Sequence, residues 1–222
     1  MIALIILFVL LGVFVYIVWR QSHSIAEPLF GCTVLQTIPL GDGVRVEIVG
    51  TECAEGLPHT TDARTIRMTA ADWKGPRRDH ILKHEYVHLS QKSAAKGWED
   101  FYKNEWGYKC LRSPPPDVPR ELVAALRPNP DTSVAPWALW RDRWLFFPTF
   151  VEDDRSLRGA KVRVWDRAAR RLLDAPPDDW RNLFCDRSGC PHQYEHPHEI
   201  AAEWIAGGSD APAARKLFEW RK

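Results

Sequence analysis

The longest apolar run of the chain lies at its N-terminus. From Ile2 to Trp19 no residue is charged, and almost all are strongly apolar. A helix rises about 1.5 Å per residue, so this run approaches the hydrocarbon thickness of a bilayer. Arg20 closes the run on the side where Trp19 favours the membrane interface. The pattern predicts a transmembrane anchor over residues 1–20, with the lipid bilayer as partner, and a tether over residues 21–30.

A cleaved signal peptide is the alternative for this run. Ser24-Ile25-Ala26 offers small residues for cleavage, but the run has no basic n-region and is longer than a usual h-region. We therefore prefer a single-pass anchor. Arg20 follows the span, and the positive-inside rule then weakly favours a cytosolic main domain. An odd number of cysteines, five, agrees with reduced thiols, whereas a Cys32–Cys53 bridge would require an oxidising lumen.

The remaining residues, 31–222, mix short strands with amphipathic helices. Polar and apolar residues alternate over 44–48 and over Thr65–Thr69, as in strands. Thr65–Thr69 is a candidate edge strand, to which an extended peptide could add as a further strand. The aromatic segment 134–165 predicts more strands. Because strands and helices do not alternate regularly, the expected fold class is α+β.

Charge and glycine placement exclude other classes of function. Lys and Arg number 30 against 29 Asp and Glu, so the formal net charge is +1 and no nucleic-acid partner is expected. The chain contains no Gly-rich phosphate loop, so a dinucleotide or P-loop enzyme is not expected either. Eleven tryptophans indicate a large aromatic core.

The candidate chemistry lies in one predicted helix. A helical period runs from a cap at Asp79 to about Lys96, with Gly97 as a stop. His84-Glu85-Tyr86-Val87-His88 in this helix is an H-E-x-x-H motif. Side chains four residues apart leave the same helix face, so both imidazoles can bind one metal ion. The intervening glutamate, Glu85, can then act as general base on water activated by the metal, and Zn²⁺ suits such a site.

A third protein ligand is required. The metzincin pattern would need glycine and histidine at the positions of Gln91 and Ala94, so that class is excluded. A carboxylate from a later helix is the other solution. Pro197 opens a predicted helix in which Glu199 and Glu203 lie one turn apart on one face.

An H-E-x-x-H motif followed by E-x-x-A-E resembles the gluzincin peptidases, including the membrane-bound CAAX-protease family. In those proteins the first acid of the second motif binds zinc and the second acid bonds a ligand histidine. The resemblance implies that His84, His88 and Glu199 bind zinc and that Glu203 is the partner of a ligand histidine. Glu203 is the alternative third ligand.

A wider resemblance covers most of the soluble part. Six segments are similar to metallopeptidases of nucleocytoplasmic large DNA viruses. They are LPHTTDARTI, HEYVHLSQ, WEDFYKNEW, ELVAALRPNPDT, PWALWRDRWLFFP and EHPHEIAAEW. This resemblance implies a zincin-like catalytic domain over residues 31–222. It also implies a virion or viral-factory membrane as a location.

The expected function is that of a membrane-anchored zinc metallopeptidase with a peptide or protein substrate. The alternative is an inactive zincin-fold scaffold of a membrane or virion, in which a metal would be closed off by four protein ligands. Cys185 and Cys190 could pair or bind a second zinc ion, but ordinary thiols are the favoured expectation.

Overall fold

A computed structural model describes residues 32–151, 156–157 and 160–221. The predicted anchor and tether, residues 1–20 and 21–30, lie outside the described residues. Within the described part of the chain, no helix combines the length and apolar character needed to cross a bilayer. Helices and antiparallel-rich sheets occur together without a regular βαβ repeat, which confirms the expected α+β class.

The first sheet contains the two strands that the alternating patterns of the sequence predict. Its members are β1 (Val34–Gly41), β2 (Val44–Val49), β3 (His59–Thr60) and β4 (Thr65–Thr69). Across the sheet the order is β1-β2-β4-β3, with β2 and β4 parallel and the other pairs antiparallel. The inward residues of β2 and β4 form a small core with Ile81 and Leu89 of the following helix.

The strand predicted at Thr65–Thr69 is confirmed, but its expected edge position is wrong. β4 lies between β2 and β3, and Ile66 and Arg67 pair with Thr60 and His59. The short strand β3 therefore forms that edge of the sheet. A two-residue edge strand offers little backbone for pairing with another chain.

The helices are short apart from the one that carries the motif. They are α1 (Ala70–Lys74), α2 (Arg78–Ser93), α3 (Ala95–Phe101), α4 (Arg120–Ala124), α5 (Asp178–Phe184), α6 (Pro197–Gly207) and α7 (Pro212–Trp220). A 3₁₀ turn spans Cys53–Gly56, and a π-helical turn over Tyr102–Trp106 continues α3.

The helix with the motif begins and ends earlier than its period predicts. It starts at Arg78 and stops at Ser93, because Ala94 leaves helical geometry with φ −122° and ψ 39°. A new helix starts at once, so Gly97 lies inside α3 instead of ending a helix. The change of direction buries Trp98, whose Nε1 donates to Ser90 Oγ at 3.1 Å. The free energy gained by burying this large ring outweighs the preference of the local sequence for one continuous helix.

The second sheet is a meander of five antiparallel strands in chain order. They are β5 (Tyr108–Leu111), β6 (Trp137–Trp140), β7 (Trp144–Phe150), β8 (Ala160–Asp166) and β9 (Arg171–Leu173). Alternate residues face opposite sides, so one face joins the main core through Trp140 and Phe146. The other face buries Trp137 and Phe147 beneath α4.

Two helices from distant parts of the sequence pack side by side in the main core. α2 contributes Val87, and α6 contributes Ile200, Ala201 and Ala202, all fully or almost fully buried. The two alanines allow the backbones to approach closely, as their small side chains predict. This packing brings the face of α2 with the motif next to the first turn of α6.

Four of the five cysteines form disulfides. Cys32 pairs with Cys53, and Cys185 pairs with Cys190, while Cys110 keeps a free thiol. The expectation of ordinary thiols at Cys185 and Cys190 is therefore wrong. Because both sulfur atoms are bonded, these residues cannot supply thiolates to a second zinc site.

Candidate metal centre

α2 presents the residues of the H-E-x-x-H motif to the interior. The Nε2 atoms of His84 and His88 lie 3.0 Å apart, with the two rings in an edge-on arrangement. His88 is 1% exposed and Glu85 3% exposed. The one-turn spacing thus brings both imidazoles to one point, as the helical geometry predicts.

α6 brings a carboxylate to the same point. Glu199 Oε2 lies 3.3 Å from His84 Nε2 and 3.4 Å from His88 Nε2. The residue belongs to the first turn of α6, which starts at Pro197 and is capped by His196, whose Nδ1 accepts the N–H of His198. A carboxylate in a first turn also gains from the helix dipole.

The separations of these three atoms fit a metal ion. A tetrahedral zinc site with bonds of about 2.0–2.1 Å separates neighbouring ligand atoms by about 3.3–3.4 Å. The three observed separations are 3.0, 3.3 and 3.4 Å. Of the described residues, His84, His88 and Glu199 are the ligand-type side chains grouped at this point. Two imidazoles and one carboxylate are a donor set typical of catalytic zinc.

Gln91 sets the tautomer of His88. Its Nε2 donates to Tyr102 Oη and to the carbonyl oxygen of His198, so its Oε1 is an acceptor. His88 Nδ1 lies 2.7 Å from that oxygen and therefore carries a proton. The Nε2 of His88 then faces the Glu199 carboxylate, and the two groups meet favourably when either a proton on Nε2 or a metal ion lies between them.

Glu203 has other partners than the expected ligand histidine. Its two carboxylate oxygens accept the backbone N–H groups of His192 and Gln193, at 3.0 and 3.1 Å. The carboxylate thus holds the loop before α6. Gln91 is the residue that bonds a histidine of the centre, and Glu199 is the acid that meets both rings.

Asn129 was not among the sequence-predicted site residues. Its Nδ2 donates to Glu199 Oε1 at 2.8 Å, while Glu199 Oε2 faces the histidines. The signal in the sequence is only a turn, Pro128-Asn129-Pro130, which does not indicate a partner 70 residues away.

A largely buried ion pair lies beside the centre. Lys92 Nζ is 3.1 Å from Asp131 Oδ1 and donates to the carbonyl oxygen of Thr60 at 2.7 Å. Asp131 Oδ1 also accepts the Thr60 N–H at 3.0 Å. These bonds use the outward backbone groups of Thr60 in the edge strand β3. A peptide cannot extend the sheet there without displacing Asp131 and Lys92.

Burial and neighbouring charges shift the pKa values of the centre in opposite directions for Glu199 and His88, and in the same direction for Glu85. Burial raises the pKa of Glu199, but His88 and His84 outweigh it and hold that pKa well below its usual range. Burial lowers the pKa of His88, yet the charges of Asp131 and Glu199 raise it to about 10. Burial, and next the charge of Asp131, raise the pKa of Glu85 well above its usual range. In the described part of the chain, Glu85 Oε2 is buried without a hydrogen-bond partner.

A cleft of about 640 Å³ opens onto these groups. One wall follows Ala54 to His59, and the opposite wall includes His192 and Glu195 before α6. Burial, followed by the charge of Glu199, raises the pKa of Glu195 to about 7. A cleft of this size suits a small ligand or a few residues of a chain.

His198 belongs to a different group of side chains. It lies with Cys110 and His196, outside the three-residue centre. His196 Nε2 faces the carbonyl oxygen of Ala135 at 3.1 Å, and its Nδ1 caps α6. With both nitrogens engaged, His196 is a core residue that fixes the start of α6.

The chain matches no protein-family profile, no curated protein and no solved structure. These comparisons therefore assign neither a family nor an activity. What the centre does is inferred from the geometry and chemistry of its own residues.

Proposed function

We propose that this chain is a zinc-dependent hydrolase of peptide bonds with a zincin-like catalytic domain over residues 31–222. The observation that carries the proposal is the meeting of two Nε2 atoms and one carboxylate oxygen at 3.0–3.4 Å. These separations match the edges of a zinc tetrahedron. His84, His88 and Glu199 would hold the ion.

An enzyme is favoured over a closed structural site. Among the described residues, three side chains meet at the centre, and the cleft opens onto them. Structural zinc takes four protein ligands, whereas catalytic zinc keeps one position open. His198 and Cys110, which would have supported the scaffold alternative as a fourth ligand, lie in another group.

Zinc, when bound, supplies Lewis-acid activation of water and of a carbonyl group. Glu85 takes the proton of the attacking water and later gives it to the leaving amine. Its buried Oε2 has no partner in the described part of the chain, so it is available for such a proton. Burial, together with the charge of Asp131, raises the pKa of Glu85, which makes its carboxylate a stronger base toward the proton of water.

The choice of a peptide as substrate depends on the resemblance as well as on geometry. The geometry supports a metal-dependent hydrolase. The resemblance to gluzincins and to metallopeptidases of nucleocytoplasmic large DNA viruses narrows this to peptide bonds. The helix with the motif beside a sheet, and a later helix with a third ligand, are further support for a zincin-like domain.

The catalytic domain of the proposed enzyme belongs in an oxidising environment. Two disulfides are present in the described chain, and such bonds persist outside the reducing cytosol. The prediction of a cytosolic main domain relied in part on reduced thiols, and the two disulfides contradict that argument. We expect mass spectrometry of protein alkylated without reduction to find one free thiol, at Cys110. Modification at four or more cysteines would contradict this proposal.

The general-base role is tested by Glu85→Gln. We expect full zinc content and a loss of about 10²–10⁴-fold in kcat on a peptide library, because the amide cannot accept the proton. Glu99→Gln on the exposed face of α3 is the matched control and should keep wild-type activity. Equal turnover by Glu85→Gln would contradict the mechanism, and zinc-loaded wild type without hydrolysis would favour the scaffold.

A further inference from the structure

The loop from Arg127 to Asp131 holds the carboxylate of the centre. Asn129 Nδ2 donates to Glu199 Oε1 at 2.8 Å. The orientation of this amide is fixed from behind, because its Oδ1 accepts the N–H of Asp131 at 2.9 Å. The donor end of Asn129 therefore faces Glu199 and its acceptor end faces its own loop.

The loop is rigid enough to act as a support. Prolines on both sides of Asn129 restrict the backbone. At one end, Asp131 is bonded to Lys92 of α2. At the other end, Arg127 Nε donates to the carbonyl oxygen of Leu157 at 2.6 Å. The loop thus links the helix of the motif, the third ligand and the segment before β8.

We propose that Asn129 is a positioning residue that makes Glu199 a one-oxygen ligand. Oε1 is occupied by the Asn129 amide, so only Oε2 is presented to His84 and His88. A carboxylate that binds a metal through both oxygens fills an additional coordination position. Asn129 thereby keeps that position for water or substrate. The inference rests on the proposed zinc site and adds a determinant of its coordination number.

Cobalt substitution tests this role without an activity assay. Four-coordinate Co²⁺ absorbs visible light several-fold more strongly than five- or six-coordinate Co²⁺, so the spectrum reports the coordination number. We expect a strong band for the wild type and a several-fold weaker band for Asn129→Ala. The zinc Kd of Asn129→Ala, measured by chelator competition, should rise by about 10–100-fold.

A second variant separates the hydrogen bond from the shape of the loop. Asn129→Asp keeps the acceptor for the Asp131 N–H but has no N–H to donate to Glu199. We expect its cobalt spectrum and zinc Kd to differ from those of the wild type as well. Asn182→Ala, on the exposed face of α5, is the control and should leave both unchanged.

The outcomes distinguish this inference from the proposed function. Wild-type spectra and zinc affinity in both Asn129 variants would overturn the positioning role and leave the zinc site intact. A wild-type protein that takes up neither Co²⁺ nor Zn²⁺ would overturn the proposed function, and this inference with it. Altered spectra in Asn129→Ala and Asn129→Asp, but not in the control, would support both.

Discussion

Helix α2 and the loop from Arg127 to Asp131 bring polar groups to the same cleft by different means. In α2, the 3.6-residue repeat puts His84, His88 and Lys92 on one face. The loop has no repeat, and its side chains are placed by hydrogen bonds to three other elements. A regular helix therefore places the proposed ligands through local geometry, whereas tertiary contacts place the loop residues around them.

The two regions are also coupled by charge. Asp131 of the loop contributes to the raised pKa values of both His88 and Glu85 in α2. Burial raises the pKa of Asp131, but the charges of His88 and then Lys92, both in α2, outweigh it and lower that pKa. We therefore expect changes in the loop to alter stability and protonation, and changes in α2 to alter metal binding directly.

The largest expected effect is on the loop side. Asp131→Ala leaves the largely buried ammonium of Lys92 without its carboxylate partner and should lower the free energy of unfolding by about 3–5 kcal/mol. Urea unfolding of the metal-free protein measures this. Adding Lys92→Met to Asp131→Ala should recover much of the loss, because no unpaired charge remains. If Asp131→Ala alone were as stable as the wild type, the ion pair would not contribute to the free energy of unfolding.

The next effect concerns the helix side. His84→Ala removes one ligand of the proposed site. The free energy of zinc binding to a site with four protein ligands is about 10–16 kcal/mol, which corresponds to about 3 kcal/mol per ligand. We expect the zinc Kd to rise by about 100-fold or more, with the unfolding of the metal-free protein little changed. His80→Ala, exposed on the same helix, is the matched control. Equal zinc affinities of the two variants would contradict the assignment of His84.

The smallest effect is a dependence of metal affinity on pH. Since the pKa of His88 is raised to about 10, metal-free protein carries a proton there at neutral pH, and zinc must displace it. Zinc affinity should therefore rise about tenfold per pH unit between pH 7 and 9. In Asp131→Asn one charge that raises the pKa of His88 is lost, so the rise should level off at lower pH. Isothermal titration in buffers of different ionisation enthalpy counts the proton released. Release of no proton at pH 7 would contradict this assignment.

The side chains placed by the helical repeat of α2 could be predicted from the sequence, whereas those placed by contacts between distant segments could not. The one-turn spacing of His84 and His88 predicted their convergence, and resemblance to gluzincins indicated Glu199 as the acid that meets them. Glu203 instead accepts two backbone N–H groups of the loop before α6 and bonds no ligand histidine. Asn129 had no detectable signal, since its bond to Glu199 joins segments far apart in the chain.

The ends of the motif helix give a second example. Local period and a glycine predicted a helix to about Lys96, but the chain turns at Ala94. The turn buries Trp98 in the aromatic core. The free energy of that burial depends on distant residues, so the helical period of the sequence does not predict it.

The sequence by itself determined which groups share a helix face, because residue spacing and helical rotation are local properties. It also indicated the strands of the aromatic segment 134–165, where β6 and β7 form. Only the tertiary structure decided which acid meets the two imidazoles, which amide supports that acid and which cysteines pair. Apart from the Cys185–Cys190 disulfide, those contacts join residues 21 or more positions apart, and their energies come from burial and packing that no local pattern encodes.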